Sequence, residues 1–499
     1  MELQFRKSTI PYLNQVLREV QNQEQTQEIR LTDGMPDIGK ILCAWGQVVV
    51  RSKEWRNDST SFSGGVMVWV LYAPEDGTQP RTLESWIPFQ MKWDLPRDSR
   101  DGTLRVNPLL RFVDARTVSA RKMMLRCGIS ALAEAFAPTE ADTYLPDEVP
   151  QDVQLLRSTY PIRLPREAGE KEFLLDEELT LPPSCPQPEK LVYYTMNPEV
   201  TEQRILSDKA VFRGNGNLHI LFRSEDDTLC AWDFELPFSQ MAELEGSYSP
   251  EGSVDVQMGV TSLELDVDDE KHLRVKCALV GQYLVQDQQW TEIVEDAYSL
   301  GRDMDITRKT LELPAILENR SENMFAEATI PQDTNVIVDC NFLSDQPRTR
   351  RNGDRIELEL PGQFQVLYYD ENGTLQGSLA RWEGQWQMNA DGDTRIGAAV
   401  QPLTGVNASE TGGIIHMDGK IRLDVETTAA KGMSMVTELE LGEEKMPDPN
   451  RPSLILRRVD REPIWDIAKA SGSTVDAIRQ ANNLEEEPQQ GQILLIPIS

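Results

Sequence analysis

The chain has only three histidines, His219, His272 and His416, so the side chain most used for acid–base catalysis is scarce. His219 falls within an apolar run, and the other two lie beside turn-like stretches. A lone histidine on such elements reads as a surface or internally satisfied residue, because general acid–base work needs a positioned partner. No HExxH, GxSxG or GxxxxGK[ST] string occurs, which removes support for zincin, hydrolase-elbow and P-loop chemistry. Gly214-Asn-Gly216 superficially resembles a phosphate loop but sits at a strand start and reads as a turn. Asp266-Val-Asp-Asp-Glu270 offers hard oxygen ligands for calcium, yet it lacks the central glycine and terminal glutamate of an EF-hand loop. A solvated hairpin tip fits it better. The six cysteines, Cys43, Cys127, Cys185, Cys230, Cys277 and Cys340, form no CxxC pair and read as buried thiols in a reducing setting. No catalytic set, cofactor site or metal site emerges, and the expectation is a non-enzymatic protein.

The composition narrows the partners. Over 499 residues, 82 acids against 50 bases give a net charge of −32. Such a chain has no basic excess to release counterions from nucleic acid, and no polybasic face for anionic lipid. Its bland consequence is solubility through like charge. The N-terminal stretch has no apolar core or small-residue cleavage site, and no window approaches a membrane span, so a cytoplasmic protein without membrane insertion is expected. The length allows three or four domains.

The elements that must position any site are organised by repetition. Gly64-Gly-Val-Met-Val-Trp-Val-Leu-Tyr72 returns as Gly214-Asn-Gly-Asn-Leu-His-Ile-Leu-Phe222 and as Gly362-Gln-Phe-Gln-Val-Leu-Tyr368. Leu71 and Leu221, Met91 and Met241, and Cys127 and Cys277 all stand 150 residues apart. From the second copy to the third the spacing is 146 at Leu367, 147 at Met388 and 148 at Leu423. Chance similarity would not hold one register across separated anchors, so three related units are present. Val66, Val68 and Val70 alternate with Met67, Trp69 and Leu71 in a run apolar on both faces, as in a sandwich-core strand. Asp76-Gly77 and Asn372-Gly373 are hairpin signals. Trp69, Trp86, Trp232, Trp382 and Trp386 recur at related places and read as packing rather than as a sugar-stacking platform.

The expected fold is therefore mainly β, with tandem antiparallel sandwich-like domains at 27–137, 171–300 and 305–440, the last divergent. Residues 1–26 form an N-terminal extension, in which Tyr12, Val16 and Val20 fit one face of an amphipathic helix over 9–24. Residues 138–170, rich in proline and acids, read as a linker, as do 441–452.

Leu31-Thr-Asp-Gly-Met-Pro-Asp-Ile-Gly-Lys-Ile41, followed by alternating strands and Ile87-Pro-Phe89, resembles the SPOCS domain, formerly DUF3794. Endospore-forming Firmicutes carry this domain in tandem. The second unit has Leu181-Pro-Pro-Ser-Cys-Pro-Gln-Pro-Glu-Lys-Leu191 at the same place, without the Asp-Ile pair.

Beyond the proline-rich joint the pattern changes. Ser453–Val459 reads as a strand, and Glu462-Pro463 opens a helix with Ile464, Ile467 and Ala468 on its inner stripe. Gly472 stops it, Ser473 or Thr474 caps a second helix, and Gly491–Pro497 closes with a strand. This small βααβ unit at 453–499 resembles a LysM domain through Trp465-Asp-Ile-Ala-Lys469, Asn482-Asn-Leu484 and Gly491-Gln492. The family's usual Gly-Asp-Thr-Leu loop is replaced by Asp460-Arg-Glu-Pro-Ile464. In glycan-binding members that loop and the one after the second helix form the groove for N-acetylglucosamine chains. The candidate partner- or glycan-binding residues are Arg458, Arg461, Glu462, Trp465, Asn482, Asn483 and Leu484.

The combination resembles the coat-assembly proteins of sporulating clostridia. It implies action in the mother-cell cytosol around the forespore, with the LysM unit docking on the coat's basement-layer morphogenetic ATPase or another coat protein. The alternative partner is peptidoglycan. Residues 451–499 hold six bases and seven acids, a local charge of −1, so nearly all the acidity belongs to the β region.

Overall fold

The computed structural model describes residues 2–97, 99, 101–267, 271–334, 336–446 and 452–498. Three of the acids in the 266–270 hairpin tip, residues 268–270, and part of the 441–452 joint lie outside the described residues.

The first unit contains β1 (Phe5–Arg30), β2 (Ile38–Arg56), β3 (Ser59–Pro74), β4 (Arg81–Asp94), β5 (Thr103–Ser119) and β6 (Lys122–Pro146). They form two antiparallel sheets of order β2-β3-β4 and β1-β6-β5. The second unit repeats this with β7 (Val153–Thr180), β8 (Pro188–Leu206), β9 (Lys209–Ser224), β10 (Leu229–Glu243), β11 (Ser253–Val267) and β12 (His272–Ser299). Its sheets are ordered β8-β9-β10 and β7-β12-β11. The third unit comprises β13 (Arg302–Ile330), β14 (Val336–Ser344), β15 (Arg348–Asn352), β16 (Arg355–Tyr369), β17 (Leu375–Asn389), β18 (Arg395–Pro402), β19 (Asn407–Glu410) and β20 (Ile415–Glu444). There the strand corresponding to β2 is split into β14 and β15, both pairing with β16.

Strand formation follows from alternation. Along β4, Ile87, Phe89, Met91 and Trp93 are buried while Pro88, Gln90, Lys92 and Asp94 are exposed. In β3 both faces are apolar for a specific reason. Val66, Val68 and Val70 enter the core of their own unit, whereas Trp69 and Leu71 enter a second core shared between units. The three hairpin tips need positive φ, and Gly77 (72°), Asp227 (60°) and Gly373 (73°) supply it at corresponding positions.

The units are joined, not strung. Trp45, Trp69 and Leu71, Tyr193 and Phe222, and Leu367 and Leu375 belong to one continuous core drawn from all three. A Cβ on Gly377 would come within 2.0 Å of the Leu42 carbonyl oxygen, so the third unit's backbone lies directly against the first. The long ribbons β1–β6, β7–β12 and β13–β20 run beyond the sandwiches and bury Ala141, Ile162, Leu164, Ile293, Leu313 and Met433 against one another.

Two sequence expectations are corrected. Residues 9–24 are not helical but lie in β1, paired with β6 from Phe5↔Pro146 to Arg30↔Lys122. A bulge at Val16 shifts the register, and from Gln21 to Arg30 burial alternates strictly with period two. The stretch 138–170 is not a linker: it holds the end of β6 and the start of β7, leaving only 147–152 between strands. Its prolines are tolerated because they sit where a strand has a free side. Past Phe136, β6 has lost its partner β5, and β7, which carries Pro161 and Pro165, is an edge strand.

The C-terminal module contains β21 (Leu454–Arg458), α1 (Ile464–Ser471), α2 (Val475–Asn482) and β22 (Ile493–Pro497). β21 and β22 pair antiparallel. Among the described residues, no helix is long and apolar enough to cross a membrane.

Candidate docking site

The module's core is made by Ile464, Ile467, Ala468, Ile478, Leu494 and Ile496. Helix α1 opens at Pro463 without a side-chain cap. Instead the Ile464 N–H donates to the Glu487 carboxylate at 3.0 Å, which ties the loop before α1 to the loop after α2. Gly472 closes α1 in the left-handed region at φ 62°, and the Thr474 hydroxyl caps α2 by accepting from the Ala477 N–H at 3.0 Å.

The candidate residues fall into four groups, Trp465 standing alone in the last. Arg458 and Arg461 are exposed on the first loop side, where Glu462 pairs with Arg457 at 2.7 Å. Backbone N–H groups and Arg457 hold the Glu462 carboxyl below its usual range. Asn483, left-handed at φ 51°, and Leu484 line an open groove of about 480 Å³ with Asp476, Arg479, Gln480 and Glu485. Asn482 is internal: its amide donates to the Ile478 and Leu495 carbonyls at 2.8 and 2.6 Å and accepts from the Leu495 N–H at 2.7 Å. That side chain fastens α2 to β22 and spends both of its N–H donors within the module.

Trp465 is the surprise. It is only 8% exposed and faces the second β unit. Its indole N–H donates to the Asp296 carboxylate at 2.9 Å, and its ring meets Tyr298 edge-on at 4.8 Å. Lys469, one turn further on, reaches the same carboxylate at 2.7 Å, and the Arg308 guanidinium also binds it. The Tyr298 hydroxyl donates to the Ser473 carbonyl at 2.7 Å. Burial raises the Asp296 carboxyl, but hydrogen bonds from Lys469 and Trp465 outweigh it and hold the group below its usual range. Leu156 and Leu300 complete the seat.

Sequence reasoning missed Asp296, Tyr298 and Lys469. The signal was available in the repeat, because Asp296 and Tyr298 occupy the places of Pro146 and Glu148, 150 residues earlier.

The junction of the three β units is also polar. It surrounds a cavity of about 1080 Å³. On one wall Arg105, fully buried, binds Asp255 and lies 3.8 Å from Glu134. On another, His219 sits between Asp233 at 2.7 Å and Asp339 at 3.1 Å, and the Tyr193 hydroxyl donates to Asp339 at 2.5 Å. Burial opposes the charge on His219, but the two aspartates more than compensate and raise its pKa to about 10. His219 is thus held by charge on both ring nitrogens, with a hydrogen bond at Nδ1 to Asp233. Trp45 stacks on Tyr193 at 4.3 Å, so all three units meet there. The Gln282 side chain of the second unit exchanges two 2.9 Å hydrogen bonds with the Val106 backbone of the first. All six cysteines are free, and burial pushes the thiols of Cys127 and Cys277 up to about 11 and about 12. Among the described residues, no group of three or more histidine, cysteine or acidic side chains is placed to hold a metal ion.

No curated protein and no solved structure matches the chain. A family model described as the SipL SPOCS domain matches residues 187–268, which run from the start of β8 to the end of β11. The match falls on the second unit, although the fuller Asp33–Ile41 box stands in the first. The chain therefore carries a SPOCS domain in its second unit.

Proposed function

We propose that this chain is a non-enzymatic structural and interaction protein of endospore coat assembly. The observation that carries the reading is the SPOCS match at 187–268, in a strand arrangement repeated on both sides of it. In this reading the three units form a rigid acidic body in the mother-cell cytosol. The C-terminal module is a LysM domain that docks on the coat's basement-layer ATPase or another coat protein at the forespore surface. Its strand–helix–helix–strand order and its internally bonded Asn482 agree with that assignment.

A protein partner is favoured over glycan by one contact. The loops that border the sugar groove in glycan-binding relatives are bridged here by Glu487 on the Ile464 N–H. Arg479 lies 3.5 Å from the same carboxylate.

A truncation series in a sporulating host tests the proposal. A fluorescent fusion of the full chain should encase the forespore, while one lacking 453–499 should stay diffuse. Equal localisation of the two would overturn the docking role. Saturable binding to insoluble peptidoglycan that vanishes with the same deletion would replace the protein partner by glycan.

A further inference from the structure

The contact that seats the module has the form of a ligand in its site. β12 contributes two side chains, Asp296 and Tyr298, two residues apart on an extended strand and so on one face of it. A bulge at Glu295, between the paired Val294 and Asp296, re-aims the strand at this point. α1 answers with Trp465 and Lys469, which lie one above the other at i and i+4. The carboxylate takes the indole N–H and the ammonium, and the phenol takes the indole edge and the Ser473 carbonyl. No strand pairing joins β12 to the module, whose two strands pair only with each other among the described residues. The contact therefore rests on side chains, with Leu156 and Leu300 packed beside it and Arg308 also on the carboxylate, and can open without breaking a sheet. The first unit has Pro146 and Glu148 at the corresponding positions, so the second unit alone of these two carries the matching pair.

We infer that this face of α1 is a recognition site for extended Asp-x-Tyr segments, that β12 fills it in cis, and that a partner protein presenting an acid-x-aromatic strand takes its place. The inference rests on the reading that the module docks on a protein. The tether gives the cis segment a high effective concentration, so an incoming strand must displace a competitor that is always present. Docking and release of the module from the second unit are then one event.

The test uses the full chain and a fluorescent peptide of residues 292–299, Glu-Ile-Val-Glu-Asp-Ala-Tyr-Ser. Fluorescence polarisation should show the Asp296→Ala/Tyr298→Ala variant binding this peptide at least about tenfold more tightly than the unmodified chain, whose site is occupied. Adding Lys469→Glu should abolish that binding, and a peptide with the same aspartate and tyrosine replaced by alanine should not bind. Lys469→Glu alone, at an exposed position, should release the module with β12 intact, seen as faster amide exchange in α1. Peptide binding that is no tighter in the double variant, or amide exchange in α1 that does not change, overturns the inference. If localisation still depends on 453–499 while the peptide fails, the docking role stands and this recognition site falls.

Discussion

Two junctions in this molecule use the same chemistry, an aspartate bonded to a cation and set beside an aromatic ring, and place it at different depths. At the three-unit junction the Asp339 side chain is 3% exposed and accepts from the buried Tyr193 hydroxyl, with Trp45 stacked over the tyrosine, while His219 is 24% exposed. At the module's seat Asp296 is 17% exposed at its side chain and its partner Lys469 is 38% exposed. The carboxylate at the first junction is sealed from water more fully than the one at the second. Removing one member of a buried pair leaves an uncompensated charge and costs about 3–5 kcal/mol, whereas a pair open to solvent contributes about 0.2–1 kcal/mol. Removing the partners of the Asp339 carboxylate therefore costs more than removing those of Asp296.

The largest expected effect comes from Asp339→Ala. It removes one of the two carboxylates on His219 and the acceptor of the buried Tyr193 hydroxyl, and it should lower stability by about 3–5 kcal/mol in denaturant unfolding. A loss below about 1 kcal/mol would put the two junctions on an equal footing. Next in size is a pH effect at the same place. With its pKa raised from 6.5 to about 10, His219 contributes stability that is fully present below its unfolded value and lost as pH rises toward 10. Melting curves from pH 7 to 10 should show a loss of about 2–4 kcal/mol that His219→Gln lacks. Asp339 has the opposite sign: burial raises its pKa, but His219 and Tyr193 hold it down, so its contribution fades on acidification.

At the seat, Tyr298→Ala should weaken docking by about 1–3 kcal/mol, the scale of a buried hydrogen bond and an aromatic contact. Hydrogen exchange in α1 should rise while the global unfolding midpoint of the β region stays put. A fall in that midpoint would mean that the module is part of the rigid body. The smallest effect belongs to the exposed Arg461. Arg461→Ala should change stability by no more than about 0.5 kcal/mol, so any loss of forespore localisation in that variant reports a lost contact.

What was legible in the sequence had local causes. β2 and β8, Ile38–Arg56 and Pro188–Leu206, keep the 150-residue offset at both ends because alternation and turn residues act within a few positions. The two-sided apolar run Val66–Leu71 already implied a strand buried on both faces. β1 was illegible over 9–24, since Tyr12, Val16 and Val20 satisfy a helical period and the pairing with β6 lies more than 100 residues away. Only its Gln21–Arg30 half shows the two-residue period. The prolines of 138–170 mimic a linker because no local rule tells which side of a strand will be left open.

The candidate site divides in the same way. Gly472 and Thr474 delimit the two helices by their own backbone and side-chain chemistry, and the repeat offset set the three units in sequence. Which face of α1 would be covered was not a local matter. Trp465 meets Asp296 across 169 residues of chain, next to a bulge in β12 at Glu295. The His219 pKa is likewise raised only because Asp233 and Asp339 close on it from two units. Local sequence determined the repeat spacing, the alternating strands of the sandwiches and the helix ends of the C-terminal module. Tertiary structure alone decided which charges were enclosed and which left within reach of water, because burial depends on neighbours brought together from distant parts of the chain.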